Sequence, residues 1–248
     1  MATEAGEKII DPISQFRIER LVPLHIGNLD ISFTNSALFA VIAVCLAALL
    51  FLLAPTKLIP TRLQSAAESI YEVVDNMTRE VLHENARTYF PFVLTLFTFI
   101  LFANVLGLVP YTFTVTSHII VTLALALVVF IGATIIGFIR NGVGYLKLFV
   151  PSGVPVFLLP LVIVIEIVSY FIRPMSLSIR LFANMMAGHM MLKVMAGFVV
   201  MLGLAAGWLP LVAMVGLMGL ELLVAALQAY VFALLTCMYL NDAMHVDH

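Results

Sequence analysis

Residues 156–240 form one almost wholly apolar stretch, and its length limits what this chain can fold into. The stretch contains 85 residues, counted inclusively, whereas an upright helix across a hydrocarbon core needs only about 20. Two long tilted helices, or three or four ordinary spans, would absorb it. The best break is at residues 203–210, where glycines end one helix and Pro210 suits the first turn of the next. This break favours a tilted two-helix hairpin, with Pro174 kinking its first helix.

The composition places the chain in a membrane. Hydrophobic residues make up 63% of it and charged residues 10%, against about 25% charged residues in a typical soluble protein. The net charge of −2 gives no indication of nucleic-acid binding. Cys45 and Cys237 each lie alone in apolar runs, so we interpret them as small hydrophobic residues without a disulfide or metal role.

The remaining segments divide by polarity. Charged and apolar residues alternate at helical spacing in residues 61–84, which indicates an amphipathic helix on the membrane surface, or an ordinary soluble one docked elsewhere. The predicted fold is an all-α integral membrane protein with about three upright transmembrane helices, one amphipathic surface helix and a long, nearly horizontal two-helix hairpin. The predicted segments are an extramembrane lead-in (1–33), a single membrane domain (34–241, with helices at 34–54, 61–84, 90–110, 118–140, 156–202 and 209–240) and a C-terminal tail (242–248).

Basic residues predict the orientation of the chain. No apolar segment follows a basic start in the first thirty residues, so we expect no cleaved signal peptide. The loops on one side of a three-span arrangement hold six basic residues: Lys57, Arg62, Arg79, Arg87, Arg140 and Lys147. The positive-inside rule makes that side cytoplasmic, or matrix-facing, and puts the N-terminus outside.

Polar residues recur at helical spacing inside the two hairpin helices. The first helix carries a stripe in which consecutive members are three or four positions apart: Glu166, Ser169, Arg173, Ser176, Arg180 and Asn184. The second carries Glu221, Gln228 and Tyr239, and His189 lies nine residues after Arg180. Ionisable groups at membrane depth cost about 2.5–3.5 kcal/mol each on insertion scales, so the default interpretation is an ion or proton pathway.

Structural interpretations remain open for several of these residues. Arg173 and Lys193 suit snorkelling charges, and Glu166 suits an internal ion pair with Arg173 or Arg180. His189 also fits a hydrogen-bonded core histidine, and Gln228 a helix–helix hydrogen bond. Arg180 and Glu221 fit such interpretations less well. For Arg180 the reason is that no carboxylate lies within four residues to pair with it.

Four motifs resemble subunit a of F-type ATP synthases, the membrane stator of the Fo motor. They are RPMSLSIRLFANMMAGH (173–189), ANVLGLVP (103–110), LFVPSG (148–153) and ELLVAALQAYVF (221–232). The resemblance covers roughly residues 33–241. In one branch of that family a Glu stands at the position of His189 and a His at the position of Glu221. Here the two are exchanged, as in mitochondrial and alphaproteobacterial-like members, and we expect the pair to act together.

The resemblance implies a proton-translocating stator subunit with two offset half-channels that couples proton flow to rotation and ATP synthesis. It implies that Arg180 is the essential arginine facing a rotating ring of c subunits. Glu221 and His189 would line the half-channel open to the outside, and Glu166 the one toward the cytoplasm or matrix. Asn184 and Gln228 would lie close to Arg180.

The same resemblance implies the surroundings of the chain. Its partners would be the c-subunit ring, b-type peripheral stalk subunits, the remaining F1Fo subunits and the lipid bilayer. Neither cofactor nor metal is expected. Since nucleotide-binding motifs are absent from the sequence, we expect no ATP chemistry in this chain. The expected location is a bacterial inner membrane, with the mitochondrial inner membrane as the alternative. The rival function is a self-contained proton- or ion-coupled transporter or channel, although no internal repeat of the kind typical of transporters is visible.

Overall fold

The computed structural model describes residues 20–23, 25–26, 29–30, 32–54, 59–109, 112–150 and 157–244. The prediction of an all-α membrane protein is confirmed, since α-helices hold most of the described residues. Five helical segments within these ranges are long and apolar enough to cross a membrane by length and composition: Asn35–Leu53, Arg62–Gly107, Ile119–Leu146, Leu159–Gly203 and Trp208–Met244.

Among the described residues, four short strands precede the helices, within and just after the predicted extramembrane segment. Strand β1 (Arg20–Val22) pairs antiparallel with β4 (Phe33–Thr34), and β2 (His25–Ile26) pairs antiparallel with β3 (Leu29–Asp30). Strands of two or three residues are too short to show an alternating pattern, so none was predicted there.

Helix α1 (Asn35–Leu53) and helix α2 (Arg62–Leu82) differ in how they distribute apolar residues. In α1 nearly every side chain is apolar, and the buried residues are Ala43 and Ala47. In α2 the apolar stripe is buried at Val74, Met77 and Leu82, whereas most charged side chains are exposed. The hydroxyl oxygen of Thr61 caps α2 by accepting a hydrogen bond from the backbone N–H of Gln64 at 3.4 Å. That α2 lies on a membrane surface stays a prediction.

Helices α3 (Ala86–Gly107) and α4 (Ile119–Asn141) are both apolar. A 3₁₀ turn from Val115 to Ser117 lies between them, and a longer 3₁₀ segment, Gly142–Phe149, follows α4. All three residues of the first turn are buried. Residues 113–117 of the connection between the two helices are therefore packed into the interior rather than exposed.

Helix α5 (Leu159–Ala206) has 48 residues and helix α6 (Trp208–Met244) has 37. At 1.5 Å per residue α5 would measure about 70 Å, more than twice the thickness of a hydrocarbon core of about 30 Å. The backbone keeps helical dihedral angles at Pro174 and departs from them at Gly203, where φ is 57°. The break thus falls within the predicted segment 203–210. At the other end α6 continues to Met244, so Asp242 is helical although the sequence assigned it to the tail.

The chain divides into two compact units. The first unit comprises the described residues within 1–53, 98–118 and 181–229, and the second comprises those within 54–97, 119–180 and 230–248. In the first unit Leu181, Met185 and Ala225 are fully buried. The core of the second unit includes Leu177 and Phe232.

Candidate functional site

The first unit contains a buried pair of ionisable side chains, His189 on α5 and Glu221 on α6. Their exposed fractions are 6% and 8%. Nδ1 of His189 lies 2.8 Å from Oε1 of Glu221. The contact is close but not aligned as a hydrogen bond, and neither carboxylate oxygen has a hydrogen-bond partner among the described residues. The two residues, 32 positions apart in sequence, therefore form a close contact between two ionisable side chains in a buried site.

Backbone carbonyls occupy both ends of the His189 ring. Nδ1 lies 2.9 Å from the carbonyl oxygen of Met185, one turn earlier on α5. Nε2 lies 2.6 Å from the carbonyl oxygen of Gly107 and 3.0 Å from the hydroxyl of Thr114. Gly107 is the last residue of α3, where carbonyls lack an intrahelical partner. The carbonyl at the end of α3 thus faces Nε2 of His189 and also accepts a hydrogen bond from the hydroxyl of Thr114 at 3.5 Å.

Gly188 makes room for the carboxylate of Glu221. A Cβ atom at position 188 would lie 2.6 Å from Oε1 and 2.8 Å from Cδ of Glu221. Any larger residue would have to displace the carboxylate or separate the two helices. Sequence reasoning missed this role, and the available signal was the glycine directly before His189 in the middle of a long helix.

A second polar network in the first unit centres on Asn104 of α3. Its Nδ2 donates a hydrogen bond to the carbonyl of Ala225 at 3.2 Å, and its Oδ1 accepts one from the hydroxyl of Thr116 at 2.9 Å. Asn104 and Thr116 are fully buried. This network ties α3 to α6 and to the 115–117 turn, one helical turn from Glu221. Asn104 was recognised in the sequence only as part of a motif.

Gln228 and Asn184, two predicted pathway residues of the first unit, differ in burial. Gln228 is 6% exposed, and its Nε2 has no hydrogen-bond partner among the described residues. Asn184 is half-buried and forms no hydrogen bond with a described residue. A buried amide donor without a partner costs about 1–3 kcal/mol. Gln228 therefore has a donor left for a group outside the described residues.

In the second unit Arg173 pairs with Asp242. Nη1 of Arg173 lies 3.2 Å from Oδ2 of Asp242, with the two side chains 37% and 46% exposed. The guanidinium carbon also lies 5.8 Å from the ring centre of Tyr239, within range of a cation–π contact. An ion pair between Glu166 and Arg173 was one possibility from the sequence. In the structure Arg173 pairs with Asp242 instead. Because Asp242 was assigned to the tail, its part in this cluster was missed.

A small cavity lies beside this cluster. The space in which the centre of a water molecule can lie measures about 20 Å³. The side chains that line the cavity include Tyr145, Tyr170, Arg173, Tyr239 and Asp242. A single water needs about 10–15 Å³ by that measure. The hydroxyls of Tyr145 and Tyr170 are 3.0 Å apart, and that of Tyr170 also bonds Thr134. The second unit thus contains a cavity, lined by both apolar and polar side chains, that is large enough for one water molecule.

Arg180, the last residue of the second unit on α5, is exposed. It forms neither an ion pair nor a hydrogen bond with a described residue. Met175 and Ile179 nearby on the helix are also exposed, at 54% and 47%. Glu166 is half-buried and Ser169 exposed, and neither forms a hydrogen bond or ion pair with a described residue. A charged residue exposed on a mostly apolar membrane helix is expected to face another protein component or a water-filled cavity.

Within the described residues, no three His, Cys, Asp or Glu side chains are placed to hold a metal ion. The features that the described residues do form are a buried His–Glu pair and an exposed guanidinium on a mostly apolar helix. Together with five helices able to span a membrane, they define a multi-pass membrane protein that carries ionisable groups within its apolar helices.

Comparison with known proteins gives the family. Residues 36–241 match the family described as ATP synthase A chain. Three curated relatives, each named ATP synthase subunit a, are 55%, 57% and 56% identical to this chain. They come from Pelagibacter ubique (96% of this chain, 99% of the relative), Chelativorans sp. (96% and 99%) and Mesorhizobium japonicum (98% and 100%). The chain belongs to the ATP synthase A chain family, which confirms the resemblance inferred from the motifs.

Proposed function

We propose that this chain is the proton-translocating stator subunit of an Fo motor, in which Arg180 faces a rotating ring of c subunits. One observation carries the proposal: the guanidinium of Arg180 is exposed on the mostly apolar helix α5 and has no ion partner among the described residues. A permanent cation in that position requires a partner that is apolar and supplies an anion. A ring of membrane helices, each with one carboxylate at membrane depth, meets both requirements.

The charge on Arg180 explains how the ring would be coupled to proton flow. A ring carboxylate facing lipid has to be protonated, because burying its charge is prohibitive. Opposite Arg180 its ionised form is favoured, so its proton leaves. At about 4 Å and an effective dielectric constant near 20, the attraction is about 4 kcal/mol. The membrane supplies about 2.3 kcal/mol per charge for every 100 mV, so the next protonation can release the carboxylate.

Arginine suits this position better than lysine for a physical reason. A guanidinium keeps its charge when it is desolvated, whereas a lysine can lose its proton. A lasting cation between two offset half-channels prevents protons from passing directly from one to the other. Glu221 and His189 would line the half-channel on the outer side, and Glu166 the one on the cytoplasmic side. Ser169, Arg173, Asn184, Gln228 and Tyr239 would complete these paths.

The setting of the chain follows from the same proposal. It would work in a bacterial inner membrane beside the c-ring and b-type peripheral stalk subunits. ATP chemistry would take place in other subunits of the complex, so the chain would not be an enzyme by itself. Proton flow between the half-channels would turn the ring and thereby drive ATP synthesis.

The proposal is tested by replacing Arg180 in the whole ATP synthase complex reconstituted in liposomes. Arg180→Ala should abolish ATP-driven acidification, measured with a pH-sensitive dye, while the complex still assembles. Arg62→Ala removes an exposed arginine at the start of α2 and should leave pumping unchanged. Normal pumping by the Arg180→Ala complex would contradict the proposal.

A second measurement separates a stator from a self-contained transporter. The chain purified alone in liposomes should move no protons under an imposed membrane potential, whereas the chain with its c-ring should. Proton transport by the isolated chain would favour the rival function.

A further inference from the structure

The hydrogen-bond partners of His189 determine how many protons its ring carries. Nδ1 faces the carbonyl oxygen of Met185 and Nε2 faces that of Gly107. A carbonyl oxygen only accepts hydrogen bonds, whereas a neutral imidazole has a single N–H and a lone pair on its other nitrogen. A neutral ring would therefore point a lone pair at a carbonyl oxygen, and only the doubly protonated ring satisfies both contacts.

The hydroxyl of Thr114 is compatible with a doubly protonated His189 ring. Its hydroxyl lies 3.0 Å from Nε2 and 3.5 Å from the carbonyl of Gly107. It can accept from the Nε2–H group while it donates to the carbonyl. If the hydroxyl donated to Nε2 instead, the ring nitrogen would face the Gly107 carbonyl at 2.6 Å without a proton between them. The C-terminus of α3 also carries partial negative charge, which favours a cation at this position.

The groups around the ring supply one counter-charge. On α6 the charged group is Glu221, 2.8 Å from Nδ1. Among the described residues, α3 contributes the Gly107 carbonyl and the chain after it the neutral Thr114 hydroxyl. On α5 itself Lys193 lies one turn further on. The Nδ1–H bond is directed at Met185, so both carboxylate oxygens of Glu221 keep their accepting capacity.

We propose that His189 is a fixed imidazolium and that Glu221 alone exchanges protons in the outer half-channel. This inference rests on the proposed function and assigns the two roles within the pair. Glu221 as a carboxylate takes one proton from a hydronium ion, which leaves as water. It then passes that proton to the carboxylate of the partner ring and becomes an anion again. His189 keeps both of its protons throughout and stabilises the anionic form of Glu221.

The alternative is a relay in which the proton passes through the imidazole ring. Such a relay requires a state in which His189 is neutral, and in that state one ring nitrogen faces a backbone carbonyl without a proton. Moving either carbonyl away means opening the end of α3 or the turn of α5 that contains Met185. The two mechanisms therefore differ in a property that can be measured, the protonation of the His189 ring.

Nitrogen-15 solid-state NMR of the whole complex in liposomes measures that property directly. The complex is labelled at histidine nitrogens, and the His189 signals are identified by subtracting the spectrum of the His189→Gln complex. If that variant does not assemble, coupling of the ring nitrogens to carbon-13-labelled methionine carbonyls identifies His189 through Met185. At about pH 8 an ordinary histidine, with a pKa near 6.5, is neutral.

We expect both His189 nitrogens to be protonated at that pH in a complex that pumps protons. One protonated and one bare nitrogen in a pumping complex would overturn the fixed-cation role and leave the proposed function intact. If Arg180→Ala complexes pumped normally while His189 was doubly protonated, the proposed function would fail instead.

Two variants test the need for a positive charge at residue 189 independently of the NMR measurement. His189→Lys keeps a cation, and His189→Gln keeps hydrogen-bonding capacity without charge. The lysine complex should pump faster than the glutamine complex by about tenfold, equivalent to 1.4 kcal/mol in the barrier. Equal rates, or a faster glutamine complex, would contradict the proposal, and the NMR measurement decides if neither variant assembles.

Discussion

Gly188 and Glu221 are in contact across two helices, and the contact exists because residue 188 has no side chain. A Cβ at that position would lie 2.6 Å from Oε1 of the carboxylate. The position of Glu221 relative to His189 therefore depends on a glycine in the middle of α5, a position at which glycine costs about 1 kcal/mol relative to alanine in helix propensity.

Gly188→Ala should lower the rate of ATP-driven proton pumping by at least about tenfold, since a shift of about 1 Å in a transfer group often costs about a hundredfold. Gly197→Ala, on the same helix, is the matched control, because a Cβ there would meet nothing within 4 Å. Pumping is measured by dye quenching in liposomes. Similar rates for the two variants would show that the carboxylate tolerates displacement.

Exchange of His189 and Glu221 should restore part of what each single change removes. We expect Glu221→Gln to slow proton entry. We expect Glu221→His combined with His189→Glu to pump faster than Glu221→His alone or His189→Glu alone. The double variant again has one acidic and one basic side chain at the two positions. If the double variant were no better than the single ones, the two residues would not act as a pair. Initial pumping rates at matched complex content provide the comparison.

Two glycines of α4 should respond differently to alanine. At Gly137 a Cβ would collide with the ring of Tyr145, whereas at Gly132 it would meet nothing within 4 Å. Gly137→Ala should destabilise the second unit by about 1–3 kcal/mol through overpacking. Gly132→Ala should be neutral or slightly stabilising. Thermal unfolding of the complex in detergent distinguishes them, and equal melting temperatures would contradict the packing of Tyr145 against Gly137.

Replacement of Asn104 should weaken the first unit. Asn104→Leu removes the bond to the carbonyl of Ala225 and leaves the buried hydroxyl of Thr116 without its partner, at a cost of about 1–3 kcal/mol for the unsatisfied hydroxyl. Asn76→Leu, at an exposed position on α2, should change stability by less than about 0.5 kcal/mol. Detergent unfolding curves of the two variants give the difference, and a smaller loss for Asn104 than for Asn76 would refute the network.

The ion pair between Arg173 and Asp242 should contribute little to stability. Both side chains are more than a third exposed, and pairs of that kind contribute about 0–1 kcal/mol. A double-mutant cycle of Arg173→Gln and Asp242→Asn should therefore give a coupling energy below about 1 kcal/mol. A coupling of several kcal/mol would mean that the pair is buried in the assembled complex.

The sequence by itself determined the class of protein, the approximate positions of the long helices and which residues carry charge within them. These properties are local: apolar length fixes a membrane helix, and a period of three to four residues places Glu166, Arg173 and Arg180 on one stripe. The break at Gly203 was also readable, because only a few residue types adopt a positive φ without cost.

Only the tertiary structure decided which groups meet. That Nε2 of His189 faces the carbonyl of Gly107, that Gly188 admits the carboxylate of Glu221, and that Arg173 pairs with Asp242 all depend on how separate helices pack. Residues tens of positions apart leave no periodic signal of their contact, since that contact is set by side-chain volumes and backbone approach along the whole interface. The charges were therefore visible in the sequence, and their partners were not.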